Sequence, residues 1–105
     1  MYLDKQKKYY LIIIIKKTDF LTLIDFLNSS KSRIKNLIID FLNSNIDHEK
    51  IVKKLHPFHF IWKKTNNSFI LVSNIHKNLV GELISIPTLE EALDFFHMEE
   101  MIRSI

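Results

Sequence analysis

Short, mainly hydrophobic runs alternate along the chain with stretches in which hydrophobic residues recur at helical spacing. A run without internal polar positions predicts a strand that other elements cover on both faces. Residues 11–15 form such a run. The mainly hydrophobic segments 37–42, 68–73 and 83–86, which also contain Asp40, Ser68, Ser73 and Ser85, predict three further core strands. Residues 2–4 predict a short partner strand, joined to the first run by a hairpin connection at residues 5–8. Because helices separate the core strands, the pattern predicts an α/β fold with a mixed, mostly parallel sheet of four to five strands, flanked by helices.

Two amphipathic helices are predicted between these strands. Thr18 or Asp19 can cap the first helix, and the polar cluster at residues 28–32 ends it. Its hydrophobic stripe consists of Phe20, Leu23, Ile24 and Leu27. Asp47 can cap the second helix, and Pro57 is expected to interrupt and bend it, because the proline ring displaces the preceding turn and removes a donor. The stripe of the second helix consists of Ile51, Leu55, Phe58 and Trp62.

The last predicted helix begins at a capping box formed by Thr88 and Glu91, and its hydrophobic face changes side halfway along. At about 100° per residue, one face carries Leu89, Ala92, Leu93 and Phe96. Nearly the opposite face carries Met98, Met101, Ile102 and Ile105. We therefore expect the first half to pack on the sheet, and the second half on a neighbouring helix of the same domain or on a partner chain.

Composition limits the class of protein. With 105 residues and 47% hydrophobic residues, the chain is expected to form one globular domain over residues 1–105. The absence of cysteine excludes disulfides and thiolate metal sites. The run at residues 11–15 is too short to span a membrane, and no small-residue cleavage site follows it. We interpret it as a strand of a cytoplasmic protein.

No residue pattern predicts an active site. No serine lies in a Gly-x-Ser-x-Gly elbow, and a chain whose single glycine is Gly81 has no glycine-rich phosphate loop. His48, His56 and His59 could share a metal, but no carboxylate-rich motif accompanies them. We interpret the histidines as surface and groove residues. The expectation is a protein without enzymatic activity, metal or cofactor.

Four lysine pairs leave a second kind of function open. They occupy residues 7–8, 16–17, 53–54 and 63–64, in a chain of net charge +3. These lysines could bind phosphates while Phe60 or Trp62 stacks on bases. The alternative, which we favour, is that the lysines coat the solvent-facing sides and that Trp62 belongs to the stripe of its helix, since the net charge is below that of a dedicated nucleic-acid binder.

Two segments carry a family resemblance. Residues 83–96, Leu-Ile-Ser-Ile-Pro-Thr-Leu-Glu-Glu-Ala-Leu-Asp-Phe-Phe, and the following Met98-Glu99-Glu100 resemble the end of STAS domains of the Bacteroidetes type. In that family a last strand leads into a Pro-Thr-Leu-x-Glu-Ala helix and an acidic Met-Glu-Glu segment. Residues 35–41, Lys-Asn-Leu-Ile-Ile-Asp-Phe, are similar to the family strand that runs into a phosphorylation loop. The order and spacing of the elements fit the family over most of the chain.

The resemblance implies a bacterial, non-catalytic protein-binding domain of transcription regulation, with a mixed sheet that starts in a hairpin. Anti-sigma factor antagonists of this family bind a kinase-type anti-sigma factor, and phosphate on a serine of an Asp-Ser-Ser-Gly loop abolishes the contact. Asp47 matches the loop aspartate, but His48-Glu49-Lys50 stands where Ser-Ser-Gly is expected. The helix before the last strand is also shortened, to residues 74–81.

The sequence thus predicts a STAS-like protein-binding domain that lacks the phosphorylatable serine and binds an anti-sigma factor or a related regulator. The expected contact residues are Asn43, Ser44, Asp47, His48 and Glu49 in one loop, and Met98 and Met101 on the last helix. We expect a monomer or a weak homodimer without membrane contact. The alternative function is a small basic module that binds RNA or another polyanion.

Overall fold

The computed structural model describes residues 1–105 as a five-stranded sheet with helices on both faces. The elements in chain order are β1 (Tyr2–Lys5), β2 (Tyr10–Ile13), α1 (Lys17–Ser29), β3 (Leu37–Asp40), α2 (His48–Lys64), β4 (Phe69–Val72), α3 (Lys77–Val80), β5 (Ile84–Ile86) and α4 (Leu89–Arg103). The strands lie side by side in chain order; β1 is antiparallel to β2, and the other neighbouring pairs are parallel. The predicted α/β fold with a mixed, mostly parallel sheet is confirmed, and it is consistent with a STAS-like fold.

The two faces of the sheet carry different helices. Three consecutive crossovers lead in the same direction along the sheet, so α1, α2 and α3 lie on one face, here called the α1/α2 face. Its core includes Ile12, Ile39, Leu71, Leu23, Leu55 and Trp62. On the other face, here called the α4 face, Ala92 and Phe96 pack on Ile38, Ile70 and Val72. Strand residues alternate between the two cores, as the period of a strand requires.

The central strands lie where the hydrophobic runs place them, although each is shorter than its run. Ile39 is paired with Leu71, and both are fully buried. The interpretation of residues 11–15 as covered on both faces is only partly right. Ile12 is buried on the α1/α2 face, whereas Leu11 and Ile13 are half-buried on the α4 face, because α4 packs on β4 and β5 and leaves the β1–β2 part of the sheet open.

Helix starts differ from the expected caps in their chemistry. The N-cap of α1 is Lys16, and neither Thr18 nor Asp19 holds that position. The Asp19 carboxylate instead reaches back from the first turn and accepts the amides of Ile15 and Lys16. Asp47 does hold the N-cap position of α2, but its side chain makes no capping hydrogen bond.

The expected capping bond at α4 is present: the Thr88 hydroxyl accepts the Glu91 amide at 3.1 Å. The short helix α3 has four residues and lies within the segment 74–81 that the sequence indicates. The expected interruption at Pro57 is wrong, because α2 runs unbroken from His48 to Lys64. Pro57 sits on the exposed side of α2 while the opposite stripe is buried, so packing holds the helix together across the missing hydrogen bond.

Candidate functional site

The loop between β3 and α2 presents most of the predicted contact residues at the carboxyl edge of the sheet. Asp40 closes β3 and turns the chain, since its carboxylate accepts the Leu42 amide at 2.9 Å. Ile46 anchors the loop with 7% of its surface exposed. The side chains of Asn43, Asp47, His48 and Glu49 are all exposed, and none of them has a hydrogen-bond or ion-pair partner within the chain.

Ser44 differs from the other loop residues. Its side chain is half-buried, and its hydroxyl donates to the Phe41 carbonyl at 2.9 Å. The Ser44 amide also donates to the same carbonyl. Ser44 therefore stabilises the turn that follows β3, whereas its polar neighbours are free to contact another molecule.

A groove runs beside this loop between the amino-terminal halves of α1 and α2, and it was not predicted from the sequence. This α1–α2 groove has a volume of about 750 Å³. Its lining residues are Lys17, Phe20, Leu21, Ile24, Asp25, Asn45, Ile46, Asp47, Lys50 and Lys54. Leu21 is 66% exposed because it lies off the buried stripe of α1. An apolar residue outside the stripe is the only sequence signal for the groove.

Met98 and Met101 do not lie beside the loop. They are on the outer side of α4, on the opposite face of the sheet from α2, and are 51% and 66% exposed. The prediction that α4 changes its hydrophobic side is confirmed: Ala92 and Phe96 are fully buried, whereas the later apolar residues find no cover within the chain. The predicted contact residues thus form two separate surfaces.

The histidines are not a uniform surface set. His48, His76 and His97 are exposed and His56 is half-buried, but His59 is 5% exposed and its Nδ1 has no hydrogen-bond partner. The interpretation of His59 as a surface residue is wrong, because it follows Phe58 at the edge of the buried stripe and packs against Phe69. No three histidine, aspartate or glutamate side chains lie close enough together to hold a metal ion.

A polar cluster ties the end of α4 to the amino ends of the central strands. The buried Ser68 hydroxyl donates to the Glu99 carboxylate at 2.8 Å and accepts a bond from the Arg103 guanidinium at 3.1 Å. The Asn36 side chain accepts the Ser68 amide at 2.8 Å. Since every member has a partner in the chain, this cluster positions α4 on the sheet.

The topology gives no crevice of the usual α/β kind. Ligands in open α/β sheets bind outside the carboxyl ends of the strands, where the strand order reverses and helices diverge to the two faces. Here the order β1 to β5 has no reversal. The carboxyl edge therefore carries the exposed loop and the α1–α2 groove in place of such a crevice.

Comparison with known proteins gives no identification: no family model matches the chain, and no curated protein matches it. None of the helices combines the length and hydrophobicity that a membrane crossing requires.

Proposed function

We propose that the chain is a non-catalytic, STAS-like protein-binding domain that contacts its partner through residues 43–49 and the first turn of α2. The observation that carries the proposal is the set of four exposed, unpartnered polar side chains in a loop whose backbone is held at both ends. Such a surface is preorganised, so little conformational entropy is lost when a partner binds.

The resemblance to anti-sigma factor antagonists supports the choice of partner. In that family, phosphate on a serine of the corresponding loop abolishes the contact with a kinase-type anti-sigma factor. The loop aspartate is present as Asp47 and starts α2. We therefore propose an anti-sigma factor or a related regulator as the partner, within a bacterial cytoplasm and in transcription regulation.

Binding in this chain is expected to be independent of phosphorylation. His48 occupies the acceptor position, and the nearest hydroxyl, that of Ser44, points inward to the Phe41 carbonyl. Incubation with a serine kinase of the anti-sigma type should leave residues 43–50 unmodified, as measured by mass spectrometry of the digested chain. Stoichiometric phosphate on Ser44 would show that the acceptor has moved and that a switch survives.

Partner capture tests the proposal directly. The immobilised full chain and its Glu49→Lys variant are exposed to extract of the native organism, and captured proteins are quantified by mass spectrometry. The matched control is Glu82→Lys, which makes the same charge change at another exposed glutamate, outside the loop. The proposal requires a protein that the parent and the control retain and the Glu49→Lys variant loses. Identical capture by all three chains would refute it.

A second candidate is binding of RNA or another polyanion, favoured by one observation. Helix α2 carries five lysines and one glutamate, and none of these lysines forms an ion pair within the chain. Contacts with phosphates make affinity fall steeply with salt concentration. Titration with oligonucleotides at low and high salt separates the candidates, since the protein-binding proposal expects no measurable complex at physiological salt.

A further inference from the structure

The solvent-facing side of α4 combines uncovered apolar residues with unpaired carboxylates. Its second half exposes 51% of Met98, 66% of Met101 and 63% of Ile102, and Ile105, two residues after its end, is fully exposed. On the same side, its first half exposes Glu90, Glu91 and Asp94, none of which forms an ion pair within the chain. These seven residues are called the α4 outer surface. An apolar strip of this kind normally marks a contact with another chain.

The α1–α2 groove has the complementary character. Its apolar part is formed by Phe20, Leu21, Ile24 and Ile46. Lys17, Lys50 and Lys54 line the same groove, outnumber Asp25 and Asp47, and form no ion pairs within the chain. The first turn of α2, which no side chain caps, also lies at this groove, and its free backbone amides add positive potential.

The charged residues of α2 and α4 show the same complementarity, since α2 is basic and α4 is acidic. Helix α2, on one face, has five lysines and one glutamate, and α4, on the other face, has five carboxylates and one arginine. A chain with a basic, apolar groove on one face and an acidic, apolar helix surface on the other is complementary to itself. A second copy of this chain therefore satisfies both surfaces.

We propose that the protein associates with itself head to tail, with the α4 outer surface of one copy docked in the α1–α2 groove of the next. The contact joins two different surfaces that lie on opposite faces of the sheet, so it is heterologous. Each added copy presents a new free groove or a new free α4, and growth is open-ended unless a ring closes. The proposal does not rest on the proposed function.

Two matched single variants test this arrangement. Met101 on α4 and Leu21 in the groove are both 66% exposed, so Met101→Glu and Leu21→Glu place a carboxylate at equally accessible positions. Sedimentation velocity of the full-length parent should show species larger than a dimer that grow with concentration and shrink with added salt. Each variant alone should sediment as a monomer. An equimolar mixture should form a single 1:1 heterodimer, because one chain retains an intact groove and the other an intact α4.

A control variant and several possible outcomes would show that the head-to-tail arrangement is wrong. Leu79→Glu, at an exposed apolar residue of α3 outside both surfaces, should associate like the parent. A parent that remains monomeric or stops at a dimer, or a mixture without heterodimer, overturns the proposal. So does a Leu21→Glu variant that associates like the parent while Met101→Glu does not, since two α4 helices would then pair with each other. A large fall in the thermal midpoint of Met101→Glu would place this residue in the core of its own chain and also overturn it. Partner capture is tested through Glu49, which does not line the groove, so the two proposals fail separately.

Discussion

His59 is a residue of α2 that packs against Phe69 of β4, and its buried Nδ1 has no hydrogen-bond partner. Burial lowers the pKa of His59 below its ordinary value of 6.5, because the charged imidazolium loses its hydration. The charged or titratable groups that act on it are Lys63 and His56, which lower this pKa further, and Glu82 and Glu99, which raise it. There is therefore a range of pH just below 6.5 in which His59 is neutral in the folded protein but protonated in the unfolded chain.

The stability of the fold is accordingly expected to depend on pH through His59. Because the unfolded state binds the proton more tightly, the contribution of neutral His59 is fully present above pH 6.5 and is lost progressively as the pH falls below that value. Urea unfolding measured across this range should show a falling midpoint in the parent and a smaller fall in His59→Phe. His97→Gln, at an exposed histidine, is the control and should behave like the parent. Equal acid sensitivity of the parent and His59→Phe would contradict the assignment.

Strands could be predicted from the sequence better than helix starts. A hydrophobic run such as residues 37–42 specifies a buried strand by itself, and Ile39 lies where the run places it. A cap depends on which polar side chain reaches a free amide, and neighbouring polar residues compete for that role. At α1 the sequence contains two candidate caps, Thr18 and Asp19. Only the structure shows that the Asp19 carboxylate accepts the amides of Ile15 and Lys16. Continuation of α2 through Pro57 likewise depends on tertiary packing, which overrides local preference.

Asp19 is expected to hold α1 in place. Its carboxylate accepts two backbone amides and pairs with the Met1 ammonium, and these bonds hold the pKa of Asp19 well below its usual range, the Lys16 amide having the largest effect. Asp19→Asn should lower the thermal midpoint at neutral pH, whereas Asp25→Asn, at an exposed position of the same helix, should not. The difference should vanish as the pH falls through the range in which the parent carboxylate is protonated. Equal midpoints for the two variants at neutral pH would show that the bonds do not stabilise α1.

The candidate site could be predicted only as far as it lies within one segment of the chain. Loop residues 43–49 follow a recognisable strand, and the structure places Asp47, His48 and Glu49 on an exposed surface. The α1–α2 groove forms between the amino-terminal halves of two helices. The starts of these helices are about thirty residues apart in the sequence, and no local pattern predicts that they lie side by side. The polar cluster of Ser68, Glu99 and Arg103 was missed for the same reason. The apolar side of α4 could be predicted because its residues are close in sequence, and the structure leaves Met98 and Met101 exposed.

The whole molecule has two cores of unequal size, and α4 depends on the smaller one. The core of the α1/α2 face contains 17 buried residues, whereas that of the α4 face contains five. Within α4 only Ala92 and Phe96 are buried, and Phe96 also packs against Tyr9 with ring centroids 5.3 Å apart. We expect α4 to detach from the sheet at a lower free energy than global unfolding requires.

Native-state hydrogen exchange of the dilute, monomeric protein measures this difference. The amides of α4 should exchange through an opening of lower free energy than the amides of β3 and β4. Phe96→Ala should lower the opening free energy of α4 by about 3–5 kcal/mol, the usual cost of removing a buried phenylalanine. If the opening free energy of the parent is smaller than this, α4 should be detached in most molecules of the variant. Met98→Ala removes a side chain of similar length from the solvent side, so it should leave the opening of α4 nearly unchanged. If the α4 amides are as protected as those of Ile39 and Leu71, α4 unfolds only with the sheet. In that case the polar cluster around Ser68 contributes more to α4 docking than its small apolar core.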